Sequence, residues 1–115
     1  IRVQEARDGL TPEAAARFRE GVRLTKHDPA AACAAFAEVD RLVPDHGSTM
    51  FNLALCAEAA GRYEEASDRY ARARLFAPKA GSAVSKGLGR VGALAAGRQD
   101  VAAMRARPPV RGTGF

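Results

Sequence analysis

A repeated pattern in the middle of the chain constrains its fold more than any other feature. Five positions between Asp28 and Pro78 recur 34 residues apart. The pairs are Ala32 and Ala66, Phe36 and Tyr70, Val39 and Ala73, Leu42 and Phe76, and Pro44 and Pro78. A fixed period of this length is typical of stacked helical repeats, in which each unit buries its apolar face against its neighbours.

Helix start and stop signals divide the repeated region into pairs of helices. Thr11-Pro12-Glu13 and Asp28-Pro29 each combine a capping side chain with a proline at the first helical position. Ser48 is expected to cap a third helix, and Gly61 to end it in the left-handed conformation before the fourth. We therefore predict two helix pairs, which span residues 11–44 and 45–78.

The rest of the chain predicts a weaker third unit and two irregular ends. Leu94 to Arg98 repeats the turn sequence of Glu58 to Arg62, so residues 79–107 are expected to form another helix pair with its turn at Gly97. Interior glycines in that unit each cost about 1 kcal/mol relative to alanine. We predict an extended, strand-like arm and a proline- and glycine-containing tail, at residues 1–10 and 108–115. Because the sequence begins at Ile1 rather than Met, we expect a segment before it in the gene.

The second unit resembles the tetratricopeptide repeat, a helix pair of this length. The resemblance rests on Leu53, Ala54, Ala57, Gly61, Tyr63, Ala66, Tyr70, Ala73 and Pro78. It implies an all-α fold: a right-handed superhelix of antiparallel helix pairs, or α-solenoid, with two good repeats and a degenerate third. It also implies a protein-interaction module, not an enzyme, with no cofactor.

The resemblance places a protein-binding groove on the first helix of each pair. Its inner positions are Phe18, Val22, Thr25, Phe51, Leu55, Glu58, Val91 and Leu94. Family members that clamp a peptide carboxylate carry Lys and Asn on this face, whereas Phe and Leu stand here. An open apolar groove of this kind predicts a protein ligand. The chain itself carries apolar residues that could dock as an arm or tail, namely Ile1, Val3, Val110 and Phe115.

The two cysteines, Cys33 and Cys56, lie on the second and third expected helices. Packing of neighbouring units could bring them together as a disulfide, and the alternative is a pair of buried free thiols. The spacing around them also resembles that of exported repeat proteins of Gram-negative, notably myxobacterial, bacteria, in which the two cysteines look like a pair. A disulfide implies a periplasmic or extracellular protein, whereas free thiols would fit the cytoplasm.

Several classes of function are disfavoured because the sequence lacks the motifs that they require. No His, Cys and carboxylate set has metal-ligand spacing, no nucleophile motif stands out, and no apolar run reaches the about 20 residues of a membrane span. Residues 79–115 carry seven basic side chains and one acidic one, but Phe115 is their only aromatic residue, which argues against nucleic acid. An anionic polymer is an alternative ligand of this basic third, through Arg90, Arg98, Arg105, Arg107 and Arg111.

Protein binding is the function that the sequence favours, and the open ends of a short solenoid make a second copy the first candidate partner. Contact between an arm, a tail or the third unit and the next copy would be head-to-tail, and would build a homo-oligomer or filament. The alternative is a monomeric periplasmic adaptor that binds a foreign apolar peptide.

Overall fold

The computed structural model describes residues 3–106, and over this range the chain forms helices joined by short turns. The α-helices are α1 (Pro12–Leu24), α2 (Pro29–Leu42), α3 (Gly47–Ala59), α4 (Tyr63–Phe76) and α5 (Gly81–Ala106), and a short 3₁₀ turn, Pro78–Ala80, precedes α5. The helices pack in chain order, α1 on α2, α2 on α3, α3 on α4, and α4 on α5. This arrangement is the all-α solenoid that the sequence predicts.

The helix ends follow from local chemistry with one correction. Thr11 and Asp28 cap α1 and α2 by accepting hydrogen bonds from main-chain amides three residues ahead, as expected. Gly61 ends the α3 turn at a φ of 78°, a conformation that favours glycine. The cap of α3, however, is His46 rather than Ser48, because the imidazole Nδ1 accepts the Thr49 amide hydrogen and Ser48 lies inside the helix.

The core follows the 34-residue period. Phe36, Tyr70, Val39 and Ala73 are all buried, and Ala32 and Ala66 lie equivalently on the second helices of the two pairs. Phe18 meets Phe36 edge to face at 5.4 Å, and Phe51 meets Tyr70 in the same way at 5.5 Å. Each repeat therefore buries one aromatic pair between its own two helices, a geometry that such rings prefer.

The third unit differs from the prediction, because α5 is one continuous helix with no turn at Gly97. Arg98 holds the helix alongside α4 by donating to the Gly61 carbonyl and by lying 4.4 Å from the centre of the Tyr63 ring. Beyond Arg98 the exposed Val101 and Met104 do not supply a buried stripe that could fold back as a second helix.

Among the α5 glycines, Gly87 has a packing role, because a Cβ there would lie 2.5 Å from the Tyr70 ring. Gly89 and Gly92 face open space instead. The absence of a side chain therefore permits close contact between α5 and α4 at Gly87, and has no such role at Gly89 or Gly92.

The N-terminal arm, residues 3–10, forms no strand within the described range. It lies against the solenoid, with Val3 and Leu10 packed on the core. The main chain of the arm bonds to the Asn52 side chain of α3 rather than to a neighbouring strand.

Candidate protein-binding site on the inner face of α3

Helix α3 is the centre of the candidate site, because three of the other helices and the N-terminal arm pack around it. Every residue from Gly47 to Leu55 is buried, and no charged residue occurs between Gly47 and Ala57. A helix that is apolar all round must be covered all round. Helices α2, α4 and α5 cover three sides, and the N-terminal arm crosses the remaining one, the inner face of α3.

Asn52 fastens the arm to this inner face through two hydrogen bonds to the main chain of one residue. The Gln4 amide donates to Asn52 Oδ1 over 2.7 Å, and Asn52 Nδ2 donates to the Gln4 carbonyl over 3.0 Å. Asn52 is fully buried, so its side-chain amide would carry a desolvation cost without these partners. Because both bonds go to main-chain atoms, Asn52 recognises the backbone of the arm and not a particular side chain.

His46, the residue that caps the N-terminus of α3, provides a second attachment for the arm. Its Nε2 donates to the Asp8 carbonyl over 3.0 Å, while Nδ1 accepts the Thr49 amide hydrogen at 3.3 Å and lies 2.7 Å from Thr49 Oγ1. Phe18 and the imidazole pack edge to face, with ring centres 5.6 Å apart. Burial lowers the pKa of His46, opposed in part by the hydrogen bond to Asp8, so the neutral ring serves both as helix cap and as arm contact.

The other end of α3 carries an ion pair braced by a tyrosine. Arg90 donates to both carboxylate oxygens of Glu58, at 2.7 and 2.9 Å, and the Tyr70 hydroxyl donates to Glu58 at 2.7 Å. The Arg90 hydrogen bonds lower the pKa of Glu58, while burial raises the pKa of Tyr70. This network ties α5 to α3 and α4, so Arg90 is engaged within the fold.

The predicted groove residues occupy both core and surface positions. Phe18, Phe51, Leu55 and Val91 are buried, Val22, Thr25 and Glu58 are partly covered, and Leu94 remains 44 % exposed. Four of the predicted groove side chains are therefore core residues in this structure and offer little surface to a ligand. Leu94 and Val22 are the predicted apolar positions that keep accessible surface.

The predicted docking segments fall partly outside the described residues. Ile1, Val110 and Phe115 lie outside them, as do Arg107 and Arg111 of the basic alternative. Val3 does pack against the core, but on its own chain.

Sequence reasoning missed Asn52 and His46. Asn52 is the one amide side chain of α3, in a stretch from Gly47 to Ala57 that carries no charged residue, and such a side chain requires a hydrogen-bond partner once it is buried. That signal could have marked Asn52, although nothing in the sequence names Gln4 as its partner.

A disulfide joins Cys33 of α2 to Cys56 of α3, with the two Cα atoms 5.9 Å apart. The sequence left open whether these residues form a disulfide or two free thiols, and in the structure they form the disulfide. It connects the second helix of the first repeat to the first helix of the second repeat. The inner face of α3 is thereby covalently fixed to the preceding unit.

The described residues show neither metal nor membrane features. No group of three His, Cys, Asp or Glu side chains between residues 3 and 106 could hold a metal ion. Within the same range, no helix has the length and apolar character that crossing a membrane requires.

Comparison with known proteins agrees with this architecture. The family model of the tetratricopeptide repeat matches residues 23–91, more than half of the chain, and the chain belongs to that family. Neither the curated proteins nor the solved structures that were searched gave a match. The family is generally a non-enzymatic scaffold, and the fold defines a protein–protein interaction module.

Proposed function

We propose that the inner face of α3 binds an extended segment of a protein partner through the segment's main chain. The observation that carries this proposal is the pair of hydrogen bonds between Asn52 and Gln4. Asn52 is buried, placed on a helix, and directed at the amide and carbonyl of a single residue, as a main-chain receptor requires. The arm shows the kind of ligand that fits.

The contacts of the arm indicate that ligands of many different sequences could bind here. The Asn52 and His46 bonds go to main-chain atoms of Gln4 and Asp8, and the arm side chains between Glu5 and Asp8 are exposed. Selectivity would come from the position next to Gln4, where Val3 packs on the core. A suitable partner segment is extended, lacks proline at the position facing Asn52, and carries an apolar residue next to it.

A peptide of the arm sequence, residues 1–10 with a fluorescent label, tests this proposal. In the full chain the tethered arm competes with the added peptide at high effective concentration. Gln4→Pro removes the amide hydrogen that Asn52 accepts, whereas Gln4→Ala keeps it and serves as the matched control. We expect fluorescence anisotropy to show about fivefold tighter peptide binding to Gln4→Pro than to Gln4→Ala, since one such bond contributes about 1 kcal/mol.

The binding must also depend on Asn52. Adding Asn52→Leu to the Gln4→Pro variant should abolish peptide binding, because leucine has a similar size and neither donor nor acceptor. Peptide that binds neither Gln4 variant, or that binds equally well without Asn52, would contradict the proposal.

We further propose that the partner is a second copy and that assembly is head-to-tail. Exposed apolar residues at opposite ends of the helices support this: Leu75 and Phe76 at the end of α4, and Val101 and Met104 where α5 extends beyond α4. The disulfide supports an oxidising compartment, periplasmic or extracellular. Light scattering of Met104→Asp against the parent chain tests the assembly: a lower mass for the variant supports it, and monomers of both support the adaptor that binds a foreign peptide.

The basic alternative has less support from the described residues. Arg90 is bonded to Glu58 and Arg98 to the Gly61 carbonyl, so both guanidinium groups already serve the fold.

A further inference from the structure

We propose that residues 3–8 of the arm exchange between copies, so that this segment of one copy occupies the inner face of α3 in another. The inference rests on the proposed function, because it takes main-chain binding at Asn52 as its starting point. It adds the identity of the bound segment and the route by which two copies would join.

The contacts that hold the arm are the same whichever copy supplies it. Asn52 bonds the amide and carbonyl of Gln4, and His46 bonds the carbonyl of Asp8. A second copy offers these same main-chain groups in the same order, with Val3 at the same offset. Exchange therefore conserves every docking contact, and the balance depends on the hinge and on the concentration of chains.

The hinge between arm and solenoid is a loosely held turn. One main-chain hydrogen bond closes it, from the Leu10 amide to the Arg7 carbonyl at 3.2 Å. Gly9 lies in it at a φ of 86°, exposed, and no atom lies within 4 Å of where its Cβ would be. Opening the turn would thus break one hydrogen bond and disturb no packing at Gly9.

The length of the hinge limits how two exchanged copies could sit. Residues 8–11 span at most about 14 Å when extended. The start of α1 in one copy would therefore lie close to His46 at the start of α3 in the other. Two copies that exchange arms mutually would form a closed two-fold pair, whereas exchange in one direction would continue into an open chain.

A substitution at Gly9 distinguishes an arm docked on its own chain from an arm docked on another copy. An L-residue with a branched Cβ is disfavoured at a positive φ and favoured in an extended segment. Gly9→Val should therefore raise the association constant of the full chain at least tenfold. Arg7→Val is the matched control, since it adds the same side chain to the hinge at a position where φ is not positive.

The experiment measures mass and contact together. Light scattering after size exclusion, from micromolar to millimolar chain, should show larger species for Gly9→Val and little change for Arg7→Val. Isotope-filtered NMR on mixed labelled and unlabelled Gly9→Val chains should show contacts from Val3 of one copy to α3 of another. Adding Gln4→Pro, which releases the arm, should return the protein to monomers.

Each other outcome overturns the exchange. Gly9→Val that stays monomeric at millimolar concentration excludes it, and so do larger species that persist with Gln4→Pro or lack contacts between Val3 and another copy's α3. The arm peptide separates this failure from failure of the proposed function. Peptide that binds the Gln4→Pro chain through Asn52, while Gly9→Val stays monomeric, refutes exchange alone.

Discussion

Two side chains, Asn52 and His46, convert an irregular N-terminal segment into an ordered part of the solenoid. Asn52 is buried in the middle of α3 and satisfies its donor and acceptor on a single residue 48 positions away. His46 performs a helix-capping role usually filled by Ser, Thr, Asp or Asn, and uses its second nitrogen for the arm. Each residue therefore links the stability of α3 to the position of the arm.

The titration of His46 leads to a prediction about acid stability. Burial lowers its folded pKa below the usual 6.5, so the unfolded chain binds a proton more readily. Its contribution is complete above the unfolded pKa and is lost as pH falls from about 6.5 through the lowered folded pKa. We expect urea unfolding to show stability falling between pH 7 and 5, with a smaller fall in His46→Asn, which keeps an acceptor at the cap.

The exposed His27 provides the control for that measurement. His27→Asn removes the other histidine of the chain and should leave the difference between the parent and His46→Asn intact. A pH dependence that is the same in His46→Asn as in the parent would show that the cap does not titrate as proposed.

At the scale of elements, α5 shows how a repeat can lose its second helix. The helix packs on α4 as far as Arg98 and then continues for eight residues, about 12 Å of helix, past the turn at Gly61. The pairing is close where Gly87 meets Tyr70 and open on the side of Gly89. The glycines of α5 therefore differ in role although they share one sequence context.

Two alanine substitutions in α5 should change stability in opposite directions. A Cβ at Gly87 would lie 2.5 Å from the Tyr70 ring, which cannot shift easily because it is buried and bonded to Glu58. Gly87→Ala should lower the free energy of unfolding by about 1–3 kcal/mol. Gly89→Ala meets nothing within 4 Å and should raise it by about 0.5–1 kcal/mol. Urea denaturation of both variants tests the pair, and equal effects would contradict the packing described here.

The repeated helices of this fold could be predicted from the sequence, whereas the arm contact and the unbroken α5 could not. The 34-residue period marked Phe36, Tyr70 and Ala73 as core, because side-chain size recurs wherever helices pack in the same way. The arm contact leaves no such pattern, since Gln4 takes part through its main chain. The contacts of Arg98 with Gly61 and Tyr63, which hold α5 alongside α4, are long-range contacts that periodicity does not record.

At the scale of the whole molecule, the disulfide and the arm both connect the two repeats. Cys33 and Cys56 are 23 residues apart, so the bond closes a loop of moderate length across the α2–α3 turn. Restricting the unfolded chain in this way contributes about 3 kcal/mol. The helix that holds the arm is thus cross-linked to the preceding repeat.

Loss of the disulfide should weaken the protein without removing its fold. The double variant Cys33→Ser, Cys56→Ser should lose about 3 kcal/mol of unfolding free energy in urea and keep its helical circular dichroism. Reductant should have the same effect on the parent chain and none on the double variant. A parent chain whose stability does not respond to reductant would show that the bond contributes nothing to the linkage of the repeats.

The central claim is that the arm is held on α3 through the main chain of Gln4. Hydrogen exchange of the Gln4 amide, followed by NMR, measures that contact directly because its hydrogen bond ends on the buried Asn52. We expect clear protection of this amide in the parent chain and loss of protection in Asn52→Leu, while the amides in the middle of α4 stay protected. A Gln4 amide that exchanges at the rate of an unstructured peptide in the parent chain would contradict it.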